Sequence, residues 1–288
     1  MEILSNISPL PFYTDLSQQH HRKSYAFGQI YPLISEGKYL LPFQFIVKGS
    51  EVVSEFNEDY DSAYDKGNSL GESNVLIIGV QLVDFNTGVA ANIMSDMTSG
   101  RLSFESLGND LYIFKYPAVL PITAISHEGP YYLKIQLTIG TIYSEVFVSS
   151  NDVSNYIKID YGNTYNLQMS EGYIDFSDDF RFKCYIAAEI GKPEYTFEEE
   201  AIVRMGYSFV ESQVSKKTYR FVCVAPEYLC DALRVIRLCN SKRIYTKHAY
   251  YSPFSFSINP TWEEQGDLAS VECEFETDSI IQNIGNIL

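Results

Sequence analysis

The histidine pair His20-His21, which opens the basic stretch His20-His21-Arg22-Lys23, is the first candidate for metal or catalytic chemistry in this chain. A zinc site needs about four ligands, and two histidines on one helix face need a spacing such as i, i+4. Adjacent residues on a strand point to opposite faces, so this pair does not supply half of a metal site. We predict solvated or packing histidines here, with no metal and no catalytic role.

Other catalytic patterns are missing from the sequence. It contains no G-x-S-x-G elbow, no G-x-x-x-x-G-K-[ST] phosphate loop, no G-x-G-x-x-G fingerprint and no C-x-x-C pair. The acidic run Glu198-Glu199-Glu200 lies in a strand-like segment. A glycosidase needs two carboxylates across a cleft, a placement that is not read from sequence, and a run of charges is usually a solvated face, which we predict here. The sequence therefore favours a protein that is not an enzyme and has no cofactor.

An acidic segment, residues 49–74, offers a weak calcium motif. Asp61, Asp65 and Glu72 align with positions 1, 5 and 12 of a calcium-binding loop, but Lys66 stands where the turn glycine is required. The segment has little apolar content of its own. We predict a solvated acidic loop.

The composition narrows the class of partner. The chain has 37 acidic and 21 basic residues and a formal net charge of -16, which argues against specific binding to nucleic-acid phosphates. No apolar run reaches the roughly 18 residues of a membrane span, and the N-terminus has no secretory pattern. The five cysteines form no tight pairs. They predict free, buried thiols in a reducing compartment.

The first half of the chain predicts a β-sandwich of immunoglobulin-like architecture. Roughly six strand-like runs separated by turn signals fill residues 24–150, after an N-terminal arm at residues 1–23. Two runs flank Gly37 and predict a hairpin over residues 24–47, and Gly140-Thr141 predicts a second hairpin turn. The acidic loop 49–74 would project from this domain.

A polar stretch at residues 149–155 marks a boundary, and residues 151–288 predict an α+β domain. Its one convincing helix, "PEYLCDALRVIRLCN", carries an apolar stripe that includes Leu229, Leu233 and Ile236. We expect this helix to pack on a largely antiparallel sheet. The whole chain is thus predicted to be mainly β with minor α.

Basic residues gather where the helix ends. They are Arg234, Arg237, Lys242 and Arg243. Positive charge at a helix C-terminus is stabilising, which is one reading of the cluster. A contact with a partner is the other.

Several stretches resemble a family of virion structural proteins from phages of Bacteroides and its relatives, including the crAss-like phages and related prophages. They are "HHRKSYAFGQIYPLI", "LLPFQF", "AAEIGKPEYTFEEEA", "KKTYRFVCVAPEYLCDALRVIRL" and "PTWEEQGDLASVECEFETD". The likeness runs from about residue 9 to about residue 285, with residues 49–74 and "KHAYYSPF" less similar. These motifs are structural, so the resemblance transfers no catalytic residue.

What the resemblance implies is a subunit of the phage particle, in a ring of the tail or neck (collar) below the portal. Its partners would be further copies of itself and other tail and portal proteins, with DNA passing through the ring and no membrane contact. It would be made in the bacterial host cytoplasm and end in the virion. Candidate subunit contacts are His20, His21, Arg22, Lys23, Arg234 and Arg237. The alternative is a glycan- or receptor-binding appendage, with exposed tyrosines and Trp262 as stacking groups.

Overall fold

The computed structural model describes residues 2–5, 7–23, 33–49, 77–170, 172–262 and 267–283. The chain divides into two compact units, and each is made of two segments. The first unit comprises residues 1–153 and 165–184, and the second comprises residues 154–164 and 185–288. The chain first passes from the first unit to the second between residues 153 and 154, close to the predicted boundary at 150/151. Residues 165–184, which the sequence placed in the second domain, belong to the first unit instead.

The protein is mainly β with minor α, as predicted. Its first strands are β1 (Glu2–Ser5), β2 (Phe12–Tyr13), β3 (Ile34–Glu36), β4 (Phe43–Lys48), β5 (Ile77–Asp84), β6 (Ala90–Asn92), β7 (Ser103–Gly108), β8 (Leu111–Tyr116), β9 (Gly129–Leu137), β10 (Gly140–Ser144) and β11 (Phe147–Ser150). The others are β12 (Ile157–Gly162), β13 (Leu167–Met169), β14 (Gly172–Ile174), β15 (Phe182–Ile186), β16 (Glu194–Arg204), β17 (Tyr207–Pro226), β18 (Ser241–Tyr245), β19 (Tyr250–Tyr251), β20 (Ser255–Trp262) and β21 (Leu268–Asn283). The described α-helices are α1 (His20–Lys23), α2 (Met94–Ser99) and α3 (Glu227–Ile236).

The first unit contains two large sheets and the small two-stranded sheet β13-β14. One large sheet has the order β1-β4-β8-β7, and the other runs β2-β10-β9-β11-β3 with β5 and β6 attached through β9. The ring of Phe12 in the second sheet lies 4.7 Å from Phe43 and 4.5 Å from Phe45 in the first, so the sheets pack face to face. Aromatic rings at this spacing fill a core well. The packing agrees with the sandwich that the alternating pattern predicts.

The hairpin predicted over residues 24–47 is not formed by its described part, residues 33–47, and residues 24–32 lie outside the described ranges. β3 pairs in parallel with β11, whereas β4 lies in the other sheet between β1 and β8. The second predicted hairpin does form, between β9 and β10, but Gly140 pairs with Leu137, so Thr138 and Ile139 make the turn. Local pattern identified these strands but not their partners.

The N-terminal segment is folded into the first unit, so the expected projecting arm is corrected. β1 pairs with β4, and β2 pairs with β10. Leu10 and Phe12 are fully buried. Because these side chains fill the core, the segment is part of the fold and is not a free extension.

Residues 165–184 are fastened to the first unit by polar contacts. The Gln44 side chain donates to the Asp175 carbonyl at 2.8 Å and accepts from the Asp175 N–H at 2.6 Å. Buried Lys115 donates to the Asp175 carboxylate at 2.6 Å and to the Ser177 hydroxyl at 2.7 Å. These bonds satisfy buried polar groups that would otherwise oppose folding.

The second unit has one long sheet, one short sheet and the predicted helix. The long sheet has the order β16-β17-β21-β20, and α3 packs on β17, β20 and β21. Leu229, Leu233 and Ile236 are buried, as the helical stripe predicts. The short sheet has the order β15-β12-β18-β19, and the limit between the units falls inside β15. All five cysteines are unpaired and buried, which confirms the prediction of free thiols.

Candidate functional site

The opening histidines lie at the start of α1, where a buried carboxyl group holds them. Glu145, which is 1% exposed, accepts the backbone N–H of His20 at 2.6 Å and that of His21 at 3.1 Å. It also accepts from the Val146 N–H and from the Tyr13 hydroxyl. An acidic group at a helix N-terminus satisfies N–H groups that have no partner inside the helix. The basic stretch is therefore a capped helix turn.

Side-chain burial changes the role assigned to these residues. The ring of His21 is 3% exposed and lies edge-on against Phe85 at 4.8 Å. The predicted subunit contact at His21 is therefore corrected, because the side chain packs inside the first unit. His20 is half-buried in the same turn, and the side chains of Arg22 and Lys23 lie outside the described part. Burial and the negative charge of Glu145 together raise the pKa of Tyr13 well above its ordinary value.

A second polar cluster joins Asp84 to His127. The His127 Nε2 atom lies 3.0 Å from a carboxylate oxygen of Asp84. The other oxygen of Asp84 accepts from the N–H groups of Asn86 and Thr87, at 2.9 and 2.8 Å. Burial opposes the charged form of Asp84. The hydrogen bonds from Thr87 and Asn86 and the nearby His127 outweigh that effect and lower its pKa.

The same histidine faces a hydroxyl group, which gives the cluster some likeness to a hydrolase triad. The Ser126 hydroxyl lies 3.1 Å from His127 Nδ1. The Tyr131 hydroxyl lies 3.0 Å from the same nitrogen and also donates to the His127 carbonyl. The Asp84 carboxylate also accepts hydrogen bonds from the turn at Asn86 and Thr87, and the hydroxyls of Ser126 and Tyr131 lie at the same ring nitrogen of His127. A catalytic triad has one hydroxyl at that position. We therefore interpret the cluster as a connection between two loops.

This connection predicts a pH dependence. The pKa of Asp84 is lower in the folded chain than the ordinary aspartate value of about 3.9, so its contribution is present above that value. It is lost as the pH falls through the lower, folded-state pKa. Urea unfolding between pH 7 and pH 2.5 should show a loss of stability below about pH 4 that is smaller in Asp84→Asn. Equal acid slopes for the two proteins would contradict the assignment.

The second unit contains an open cleft of about 480 Å³. Its lining includes Tyr156, Glu189, Lys247, His248 and Tyr251. The loop that carries Lys247 and His248 is closed on itself, because the Thr246 N–H donates to the Ala249 carbonyl at 2.9 Å. Two aromatic rings beside polar groups are suited to a small polar ligand.

The largest feature that the sequence did not predict is a long hairpin, β16–β17. Its second strand, β17, also pairs with β21. We call residues 194–217 and 276–283 the ribbon. The segment "EYTFEEEAIVRMGYSFV" predicted a single strand, but it turns at Met205-Gly206, with φ angles of 52° and 83°. Left-handed φ at both central residues matches the tight hairpin turns that twist with the strands. Gly206 was the available signal, and Met205 is an unusual residue for its position.

One face of the ribbon is apolar and uncovered. Phe197 pairs with Ser215 and Ser215 pairs with Ile280, so the three side chains share a face. Phe197 is 74% exposed and Ile280 is 71% exposed. Further along β17 on the same face, Tyr219 and Phe221 are buried. One face of this sheet is therefore buried near Tyr219 and Phe221 and exposed near Phe197 and Ile280.

Charges on the ribbon divide between its two faces. Glu198 pairs with Lys216 at 2.6 Å on the face opposite to Phe197. Glu199 lies on the Phe197 face, where it accepts a hydrogen bond from the Gln213 amide at 2.7 Å. All three residues of the Glu198–Glu200 run are exposed, as predicted. The Phe197 face thus carries the carboxylate of Glu199, together with Lys217 and Asp278, which are cross-strand neighbours.

The basic cluster after α3 is only partly at the surface. Arg234 is exposed and pairs with Asp231 at 3.2 Å, and Arg237 is exposed. Lys242 is buried and lies 3.4 Å from the Phe254 carbonyl, and burial lowers its pKa. Lys242 is therefore removed from the expected surface cluster, whereas Arg234, Arg237 and Arg243 are exposed.

Within the described ranges, no group of three or more His, Cys, Asp and Glu side chains is arranged to hold a metal ion. The acidic segment 49–74 with its candidate ligands Asp61, Asp65 and Glu72 lies outside those ranges from residue 50 onward. None of the described helices is long and apolar enough to cross a membrane.

Comparisons of this chain with protein families, with curated proteins and with solved structures found no match. What the chain does is therefore inferred from its own residues and geometry.

Proposed function

We propose that this protein is a non-enzymatic structural subunit of a phage virion, which forms a ring of the tail or neck (collar) below the portal. The virion part of the proposal rests on the motifs that resemble the phage family. The assembly part rests on the ribbon. Partners are other copies of the same chain and the neighbouring tail and portal proteins.

The uncovered apolar face of the ribbon is the single observation that carries the assembly proposal. Phe197 and Ile280 lie more than two thirds exposed on a face that is core elsewhere in the same sheet. Large exposed apolar side chains in a group indicate a surface that another protein covers. Strand β16 is also a sheet edge of 11 residues, about 36 Å long, with backbone groups open to pairing.

A ring is the assembly that we favour over a fibre. Trimeric fibres are typically built on heptad repeats or repeated strands, and the sequence contains neither. Rings arise when one surface of a subunit contacts a different surface of the next, with a rotation that closes. An acidic subunit also suits a channel through which DNA slides, because like charge prevents adhesion to the wall.

The proposal predicts closed rings from the purified full-length chain. Negative-stain electron microscopy should show annular particles, and mass photometry should give a single integral multiple of the subunit mass. Imaging of the intact phage particle at side-chain resolution should place the chain below the portal. A protein that stays monomeric at high concentration and is missing from purified particles would contradict the proposal.

The second candidate is the glycan- or receptor-binding appendage, and the cleft favours it. Tyr156 lines the cleft beside the polar groups of Lys247 and His248, and Tyr251, whose ring also packs on Tyr219 and Phe275, lines it as well. Specific binding of a host glycan by a monomeric protein, abolished by Tyr251→Ala, would support this candidate over the ring. Rings without glycan binding would exclude it.

A further inference from the structure

We propose that the apolar face of the ribbon in one copy docks on the exposed end of α3 in the next copy, so that the ring closes head to tail. The docking face consists of Tyr195, Phe197, Glu199 and Ile280. The receiving patch consists of Arg234, Arg237 and Leu238. This inference rests on the proposed ring function and identifies which two surfaces meet.

The docking face combines apolar side chains with Glu199, and it also carries Lys217 and Asp278, which are cross-strand neighbours. Tyr195, Phe197 and Glu199 alternate along β16 and therefore project from the same side. Ile280 joins them through its cross-strand pairing with Ser215. Unlike Glu198, which is paired with Lys216, Glu199 has the neutral Gln213 amide as its partner. Among the described side chains of the ribbon Glu199 forms no ion pair, and Lys217 on the same face lies over the Tyr195 ring at 5.9 Å.

The receiving patch has the complementary chemistry. Leu238, which is 64% exposed, directly follows Arg237 at the end of α3. Its backbone is fixed, because the Leu238 N–H donates to the Val235 carbonyl at 2.9 Å. Arg237 is exposed and forms no ion pair among the described residues. An apolar side chain flanked by arginines matches an apolar strand flanked by a carboxylate, and arginine is well suited to interface ion pairs.

Charge also explains why the partner is a different surface and not a second ribbon. The face carries two carboxylates, Glu199 and Asp278, and one lysine, Lys217, so two ribbons face to face would bring together surfaces of like net charge. In a chain of net charge -16, the end of α3 carries the exposed arginines Arg234 and Arg237, so it is a suitable counterpart. A contact between two different patches can propagate around a ring, whereas a self-complementary contact stops at a dimer.

Engineered cysteines test the contact directly. All five native cysteines are buried, so the introduced thiols are the accessible ones. The double variant E199C/R237C should give, on oxidation, a ladder of cross-linked multimers that ends at the ring copy number. The single variants should each stay uncross-linked, and a mixture of the two should give dimers. Electron microscopy of the same samples before oxidation should show rings.

Two outcomes would overturn the contact. Cross-linking of E199C with itself would indicate ribbon-to-ribbon pairing. Rings that form while E199C/R237C fails to cross-link would show that other surfaces meet, and the proposed ring function would still stand. Failure to form rings in any sample would count against the proposed function itself and thereby against the contact.

Charge reversal gives an independent measurement. R237E should weaken self-association at least about tenfold by placing like charges together across the interface, and E199R/R237E should restore most of it. The control K38E makes the same charge change at an exposed lysine of the first unit and should leave association unchanged. Circular dichroism should show that all variants stay folded. Equal effects of K38E and R237E would point to net charge alone and contradict the docking contact.

Discussion

Replacement of Lys115 by alanine should lower the free energy of unfolding by about 3–5 kcal/mol, because it leaves a buried carboxylate without its cation. Lys115 and Asp175 are both buried in the first unit, and their charged atoms lie 2.6 Å apart. Burial disfavours the charged form of Asp175. The hydrogen bonds from Lys115 and Ser177 outweigh that effect and lower its pKa, so the carboxylate is charged at neutral pH. Without Lys115, that charge stays in a poorly solvated place.

Chemical denaturation at pH 7 measures this loss, and Lys216→Ala is the matched control. Lys216 and Glu198 also lie 2.6 Å apart, but both side chains are substantially exposed. Exposed ion pairs contribute up to about 1 kcal/mol, so the control should cost much less. Similar losses from the two substitutions would mean that Asp175 is solvated and that residues 165–184 are not fixed by this pair.

Replacement of Leu233 by alanine should lower the free energy of unfolding by about 2–5 kcal/mol. Leu233 is fully buried in α3, which packs on β17, β20 and β21. The truncation removes apolar contact and leaves a cavity that a close-packed core does not fill completely.

The control is Leu238→Ala, five residues along the chain. Leu238 is 64% exposed in the single chain, so in dilute, unassembled protein its truncation should change the free energy of unfolding by less than about 0.5 kcal/mol. The two leucines have the same chemistry and differ in burial. A loss below about 0.5 kcal/mol for Leu233→Ala would mean that α3 does not supply the core of the second unit.

The sequence predicted some of the residues in the candidate docking contact but not the strand arrangement that brings the others together. Arg234, Arg237 and the Glu198–Glu200 run were identified as exposed or partner-facing groups from their charge alone. The hairpin turn at Met205-Gly206 was not, because methionine is rare at left-handed φ and the flanking strands read as one continuous run. Without that turn, Phe197 and Ile280 could not be placed on one face.

The identity of many strands and of helix α3 was determined by the sequence itself. Val271, Cys273 and Phe275 alternate with glutamates and are fully buried, and the apolar stripe of α3 faces the core. These patterns follow from the period of the backbone, which fixes the side of each residue regardless of its neighbours.

Strand partners and the fate of polar residues were decided only by the tertiary structure. β3 and β4 are close in sequence but lie in different sheets, since pairing depends on which distant strand completes the buried face. The pair His20-His21 starts a helix because the Glu145 carboxylate accepts its backbone N–H groups. Glu145 is more than a hundred residues away in sequence. A local sequence pattern does not predict such a partner, because burial and hydrogen bonding depend on segments that meet only when the chain folds.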